Sequence, residues 1–182
     1  MISNVYIFDD IVSDQEKILL HEYCLENEKN FKFIKNITYD DDGESYLPAW
    51  VLSKKIHKNI HEKIEELQKR VCEKIGVNLM KTYRFKINLT KPFELKEEEE
   101  KNLIHVDRFT EHIVLIYYVN DTDGDTVILS ENEITKIKPK MGRIVVFDGK
   151  YKHYGLYPES GKRFIFNVNF VATGGEVKKK LL

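Results

Sequence analysis

Cysteine is scarce in this chain: the 182 residues hold two, Cys24 and Cys72, far apart in sequence. Two thiols make no disulfide framework, so a reducing compartment is expected. Long apolar runs are missing as well. No stretch approaches the roughly 18 residues of a membrane helix. The opening Met1–Phe8 segment is too short for a secretory leader and runs straight into Asp9-Asp10. A cytoplasmic protein with no membrane partner is the expectation. An excess of one charge is also lacking, since 29 basic residues meet 30 acidic ones for a net −1. That removes the global pull toward nucleic acid or anionic lipid. There is no internal repeat. His57 and His61 lie four apart, a spacing that can bind metal, but no H-E-x-x-H motif surrounds them and they read as solvated surface.

What is present is a globular composition, 42% hydrophobic and 32% charged, in a length suited to one domain. The division expected is N-terminal support over 1–80, a β core over 81–172 and a tail over 173–182. Val5–Phe8 reads as a short strand. Ser13 and Glu16 form a capping box for a helix with Ile18, Leu19, Tyr23 and Cys24 on its apolar side. Residues 31–39 alternate like a strand, and Tyr39–Ser45 has loop composition. A second helix is framed by Ser53 as cap and Gly76 as stop. Ile56, Ile60, Ile64, Leu67, Val71 and Ile75 make its single stripe.

Tyr83–Leu89 is the first core strand, with Tyr83, Phe85, Ile87 and Leu89 on one face and Arg84, Lys86 and Asn88 on the other. That second face meets either water or a polar cavity. The run Glu97–Glu100 reads as a solvated loop that leads into His105. From there short strands follow turns at close intervals: a strand at His105, then 113–119, 126–129, 134–137, 143–147, 153–156 and 163–171. The pattern is that of a sandwich or barrel rather than βαβ units, and Ile113–Val119, apolar on both faces, should be central. With about eight strands the expected fold is mainly β: a double-stranded β-helix (jelly roll, cupin-like) with N-terminal α-helices packed on one face.

The chemistry sits in the same stretch. His105 and Asp107 are two residues apart, so a strand points both side chains the same way; His153 follows 48 residues on (153 − 105) and Arg163 ten after that. Two imidazoles and one carboxylate can form the facial triad of non-haem Fe(II) oxygenases, which leaves coordination positions open for co-substrate and O₂. Arg163 shares its parity with Asn167 and Asn169, opposite Phe164, Phe166, Val168 and Phe170. An arginine on that polar face can be buried only if an anion meets it.

In these residues, His105-Val106-Asp107, Leu115–Asp121, Gly124-Asp125-Thr126, His153 and Arg163, the chain resembles the Fe(II)/2-oxoglutarate-dependent dioxygenases, most of all the prolyl-4-hydroxylase-like branch. The resemblance covers about half the chain, from Tyr83 to Phe170. It departs at Asp123-Gly124-Asp125-Thr126, where the family often has Gly-Gly-Glu-Thr, and at Ile165, where many members place serine two residues after the arginine. It implies Fe(II) on His105, Asp107 and His153, and 2-oxoglutarate with its far carboxylate on Arg163. Tyr118 and Asn167 would help to hold that carboxylate, and Tyr83 is a further candidate for contact with the co-substrate. The implied reaction consumes O₂, converts 2-oxoglutarate to succinate and CO₂ and hydroxylates a C–H bond, with ascorbate as a candidate reductant. The substrate would be a protein or peptide prolyl residue or a small molecule. Two other readings stand beside it. A cupin-like metalloprotein would keep the histidines without needing Arg163. A jelly-roll binding module without chemistry would instead use aromatics such as Tyr46, Trp50, Tyr151 and Tyr154.

Overall fold

The computed structural model describes residues 4–34, 49–52, 55–94, 103–131 and 133–174. Ten strands and two helices follow one another as β1 (Tyr6–Phe8), α1 (Asp14–Glu26), β2 (Phe31–Ile34), β3 (Ala49–Leu52), α2 (Lys58–Ile75), β4 (Asn78–Thr90), β5 (Ile113–Tyr118), β6 (Thr126–Leu129), β7 (Ile134–Ile137), β8 (Ile144–Asp148), β9 (Lys152–Gly155) and β10 (Arg163–Thr173). All the pairings are antiparallel. One sheet has seven strands in the order β1-β8-β5-β10-β4-β3-β2, and the other has three, β7-β6-β9. No described helix is long and apolar enough to cross a membrane.

Strand parity builds two cores. On one face of the large sheet Ile113, Leu115 and Tyr117 of β5, Phe164, Phe166, Val168 and Phe170 of β10, and Ile87 and Leu89 of β4 join the buried side of both helices in a single cluster. On the opposite face Val114, Ile116 and Tyr118 of β5, Val145 and Phe147 of β8, and Ile165 of β10 meet Ile128 and Ile137 of the small sheet. This second cluster closes the sheets into a jelly-roll sandwich. β5 lies between β8 and β10 with all six residues buried, as its two-sided hydrophobicity requires.

The helices form where capping and periodicity place them. Ser13 accepts from the Glu16 backbone amide while Glu16 reaches back to the Ser13 amide. Gly76 closes α2 at φ 73°, a left-handed position that costs glycine nothing. Several expectations are corrected. α1 buries Leu20, Tyr23 and Cys24, leaving Ile18 and Leu19 exposed at 53% and 36%, because the helix packs on a narrower stripe than its apolar residues span. α2 begins after His57, which makes no side-chain cap. His105 starts no strand; it makes an isolated bridge to His153. A register shift in β4, with Asn169 opposite Arg84 but Phe170 opposite Thr82, leaves Tyr83 as the extra residue of a bulge and takes it off the Phe85 face. Ser53, the loop over 39–45, Tyr46, the glutamate run over 97–100 and the tail beyond 174 lie outside the described residues.

Candidate metal and co-substrate site

The bridge between His105 and His153 sets the site. Each backbone amide donates to the other residue's carbonyl, at 3.1 and 2.8 Å, which lays the two imidazoles side by side with ring centroids 4.4 Å apart. In both residues Nδ1 faces the carbonyl two positions earlier, Leu103 O at 2.8 Å and Tyr151 O at 3.2 Å. A carbonyl only accepts, so Nδ1 carries the proton and Nε2 keeps its lone pair. Those Nε2 atoms lie 3.8 Å (His105) and 4.0 Å (His153) from the Asp107 carboxylate. Burial disfavours the charged imidazoles: the His153 pKa is pushed down to about 4 by burial and by the neighbouring His105, and that of His105 is lowered for the first of these reasons. Neutral imidazole is the form that binds metal. The ligand atoms of His105, Asp107 and His153 all lie within 4.8 Å of one another.

Asp107 is 3% exposed and richly partnered. Arg84 Nη2 approaches Oδ1 to 2.5 Å, while Asn169 Nδ2 and Asn167 Nδ2 donate to Oδ2 from 2.8 and 3.2 Å. Burial works to raise the Asp107 pKa. The charges of His153, Arg84 and His105 and the Asn169 hydrogen bond outweigh it, and the carboxyl stays well below the usual carboxylate range. Of these, Arg84 is the lasting influence, because a guanidinium does not deprotonate.

At the far end of the same cavity Arg163 opens β10 opposite Thr90. It is 4% exposed, and Nη1 donates to the Gly124 and Asp125 carbonyls and Nη2 to Thr90 Oγ1. Its Nε has no partner, and no carboxylate pairs with it among the described residues. Gly155 makes the room: a Cβ there would sit 2.3 Å from Arg163 Nη2. The cavity encloses about 630 Å³, including its solvent-open part, and is lined by His105, Asp107, His153, Asn88, Thr126 and Arg163 among others. Its two ends thus present a three-donor metal site and a buried cation.

The remaining residues singled out from sequence fall at different points. Tyr118 is fully buried beside the cavity, and its hydroxyl donates to Thr126 Oγ1 at 2.6 Å, with its pKa pushed up to about 12 by burial. Asn167 lines the cavity at the Asp107 end, four strand residues and about 13 Å along β10 from Arg163. Tyr83 is 39% exposed, carries the Arg108 guanidinium 4.6 Å from its ring centre and does not line the cavity. His57 and His61 pack on Tyr23 and Phe85 as ring neighbours, far from this chemistry in role. Arg84, Asn169 and Gly155 were not assigned from sequence. Arg84 and Asn169 could have been suspected from parity, since they share the faces of Asn88 and Asn167. Gly155 carries only the faint signal of a glycine two residues after a candidate ligand.

The chain is thus a jelly-roll sandwich with a His-x-Asp and a distant His at one end of a cavity and a buried arginine at the other. Comparison with solved structures agrees. The chain superposes on a Pseudomonas putida prolyl-4-hydroxylase with TM-score 0.62 and 13% identity over 93% of each chain. A Trichoplax adhaerens prolyl hydroxylase, solved with a hypoxia-inducible-factor peptide fragment, gives TM-score 0.65 and 14% identity over 92% of this chain and 83% of that one. A Burkholderia pseudomallei oxidoreductase of the 2OG-Fe(II) oxygenase family gives 0.66 and 11% over 94% and 86%. At these identities the likeness is one of fold. It bears out the jelly-roll fold expected from the sequence. No protein-family model and no curated protein matches the sequence.

Proposed function

We propose that this chain is a single-domain Fe(II)- and 2-oxoglutarate-dependent dioxygenase that hydroxylates a C–H bond of a peptide or small molecule. The observation that carries the reading is the pairing, in one cavity, of an imidazole and carboxylate donor set with a buried arginine that meets no anion among the described residues. His105, Asp107 and His153 would hold the metal. Bound Fe(II) supplies O₂ activation coupled to oxidative decarboxylation of 2-oxoglutarate to succinate and CO₂.

The protein's own groups have narrower tasks. The Leu103 and Tyr151 carbonyls keep both imidazoles in the Nδ1–H form, so their Nε2 lone pairs stay aimed into the site. Arg163 offers a planar fork to the far carboxylate of 2-oxoglutarate, with Thr90 and the Gly124 carbonyl fixing its orientation. Tyr118 and Thr126 form a hydroxyl pair beside that end, and the apolar cluster between the sheets keeps water from the floor. The two helices serve as a supporting layer behind the large sheet. Ascorbate would serve as reductant. A peptide substrate is supported by the peptide fragment held by the similarly folded Trichoplax prolyl hydroxylase. The cupin-like and binding-module readings leave the buried Arg163 without a purpose, since an unpaired buried cation is costly to keep.

The test supplies Fe(II), ascorbate and 2-oxoglutarate under air and follows succinate. Wild type should form succinate slowly even without its substrate, His105→Ala should form none, and Arg163→Ala should need far more 2-oxoglutarate. If wild type forms no succinate and 2-oxoglutarate also fails to bind the Fe(II)-loaded protein without air, the dioxygenase reading is wrong.

A further inference from the structure

Asp107 already has a cation. The Arg84 guanidinium reaches the same oxygen, Oδ1, that lies 3.8 Å from His105 Nε2, and both partners are almost wholly removed from water. Arg84 and Asn169 face each other across the β4–β10 ladder, so the two strands close on the carboxylate from both sides. Ligation of a metal ordinarily draws on the full negative charge of its carboxylate. Here that charge is offset before any metal arrives.

The charge balance of the described residues at the cavity follows, with Lys86 near the Arg84–Asp107 pair adding only to the cationic side. Each imidazole turns Nδ1–H to a carbonyl and keeps an Nε2 lone pair, and Asp107 and Arg84 cancel. A divalent ion entering alone would therefore add two positive charges to a buried site that also contains Arg163, which has no carboxylate among the described residues. At least three positive charges would stand without a counter-ion among the described residues, in a medium where charges interact strongly. A dianionic dicarboxylate entering with the ion cancels two of them. The ion and the dianion should each bind better when the other is present, and the coupling is reciprocal.

We propose that Arg84 is the resident counter-cation of the metal site: it competes with the metal ion for Asp107 and makes tight metal loading conditional on the dicarboxylate co-substrate. This rests on the reading of His105, Asp107 and His153 as the metal-binding set. Arg84 acts through Asp107 and is a positioning residue in that sense. Its side effect is protective, since the protein takes up little free metal until 2-oxoglutarate is there to occupy the site with it.

The test uses Mn(II), which needs no exclusion of air, and reads binding rather than activity. The full-length protein is titrated with Mn(II) by calorimetry and by the EPR signal of free Mn(II), with and without saturating 2-oxoglutarate. Arg84→Gln removes the charge and should bind Mn(II) alone about tenfold tighter than wild type or better, within the usual 5–150-fold span of coupling effects. The gain from 2-oxoglutarate should shrink by the same factor. Arg84→Lys keeps the charge and should restore the wild-type pattern. Asn169→Asp offsets Arg84 from the opposite strand and should shift Mn(II) affinity in the same direction as Arg84→Gln, which covers the case in which that variant does not fold. Arg84→Gln or Asn169→Asp protein that is folded by circular dichroism yet binds Mn(II) alone no tighter than wild type overturns the proposal. His153→Ala separates the two readings: if it leaves Mn(II) binding unchanged, the metal site itself has been misplaced, whereas loss of binding there with no Arg84 effect refutes only the counter-cation role.

Discussion

The two ends of the cavity hold buried charge in opposite conditions. At one, the Asp107 carboxylate receives Arg84, Asn169 and Asn167, so nearly all of its accepting capacity is used by the protein. At the other, the Arg163 guanidinium finds two backbone carbonyls and one hydroxyl, and its Nε finds no partner among the described residues. The first arrangement is a buried ion pair whose carboxylate also lines the cavity. The second is a buried cation with no carboxylate partner among the described residues, which is what the proposed role in holding 2-oxoglutarate requires. Burial is equal at the two ends, so burial alone does not distinguish a supporting group from a binding group. The partner inventory does.

The largest expected effect breaks the first end. Asp107→Ala strands Arg84 without its carboxylate, and loss of one partner of a buried pair costs about 3–5 kcal/mol. Urea unfolding of the metal-free protein should show that loss, along with abolished metal binding; a cost under about 1 kcal/mol would mean that the pair is not a structural one. Arg163→Met is the counterpart. Stability of the metal-free protein should stay within about 1 kcal/mol of wild type, because an unpaired buried cation is exchanged for an apolar chain of similar volume. The 2-oxoglutarate requirement should rise about a hundredfold, the worth of a lost bidentate charge-assisted contact. Succinate formation against 2-oxoglutarate concentration reads this directly.

Gly155→Ala sharpens the same contrast, since its Cβ would displace the guanidinium while leaving Asp107 untouched. The half-saturating 2-oxoglutarate concentration should rise by about tenfold with Mn(II) binding unchanged. Acid should act on the triad end. His153 titrates near 6.5 in the unfolded chain and about 4 in the folded one, where burial, His105, Asp107 and Arg84 surround it. The unfolded state therefore binds more protons between those values, and stability of the metal-free protein should be flat above pH 6.5 and fall as pH drops toward 4. His153→Gln should flatten that fall in urea midpoints measured from pH 8 to 5. The smallest effect is Tyr118→Phe, which removes one buried hydroxyl donor to Thr126 and should cost about 1 kcal/mol with less than a tenfold change in 2-oxoglutarate requirement.

Much of this was legible before the fold was known. The alternation of Phe164, Phe166, Val168 and Phe170 against Arg163, Asn167 and Asn169 gave the two faces of β10, and both faces are found as read. Residue types alone pointed His105, Asp107 and His153 at one metal, and the structure brings them together. Reading failed where local pattern met a long-range constraint. Tyr83 looked like a Phe85-face residue until a bulge displaced it. Ile18 and Leu19 looked like core until α1 turned a narrower stripe inward. Asn167 was expected beside Arg163 and bonds Asp107 instead.

The sequence by itself determined the faces, because side-chain direction along a strand or helix follows from local geometry with a fixed period. It also determined the chemistry available, because ligand preference belongs to the residue type. Only the tertiary structure decided which charges meet. The choice of Arg84 for Asp107, and of no carboxylate among the described residues for Arg163, depends on the register between β4 and β10 and on a glycine in β9. Those are cross-strand relations between residues tens of positions apart, and no local pattern carries them.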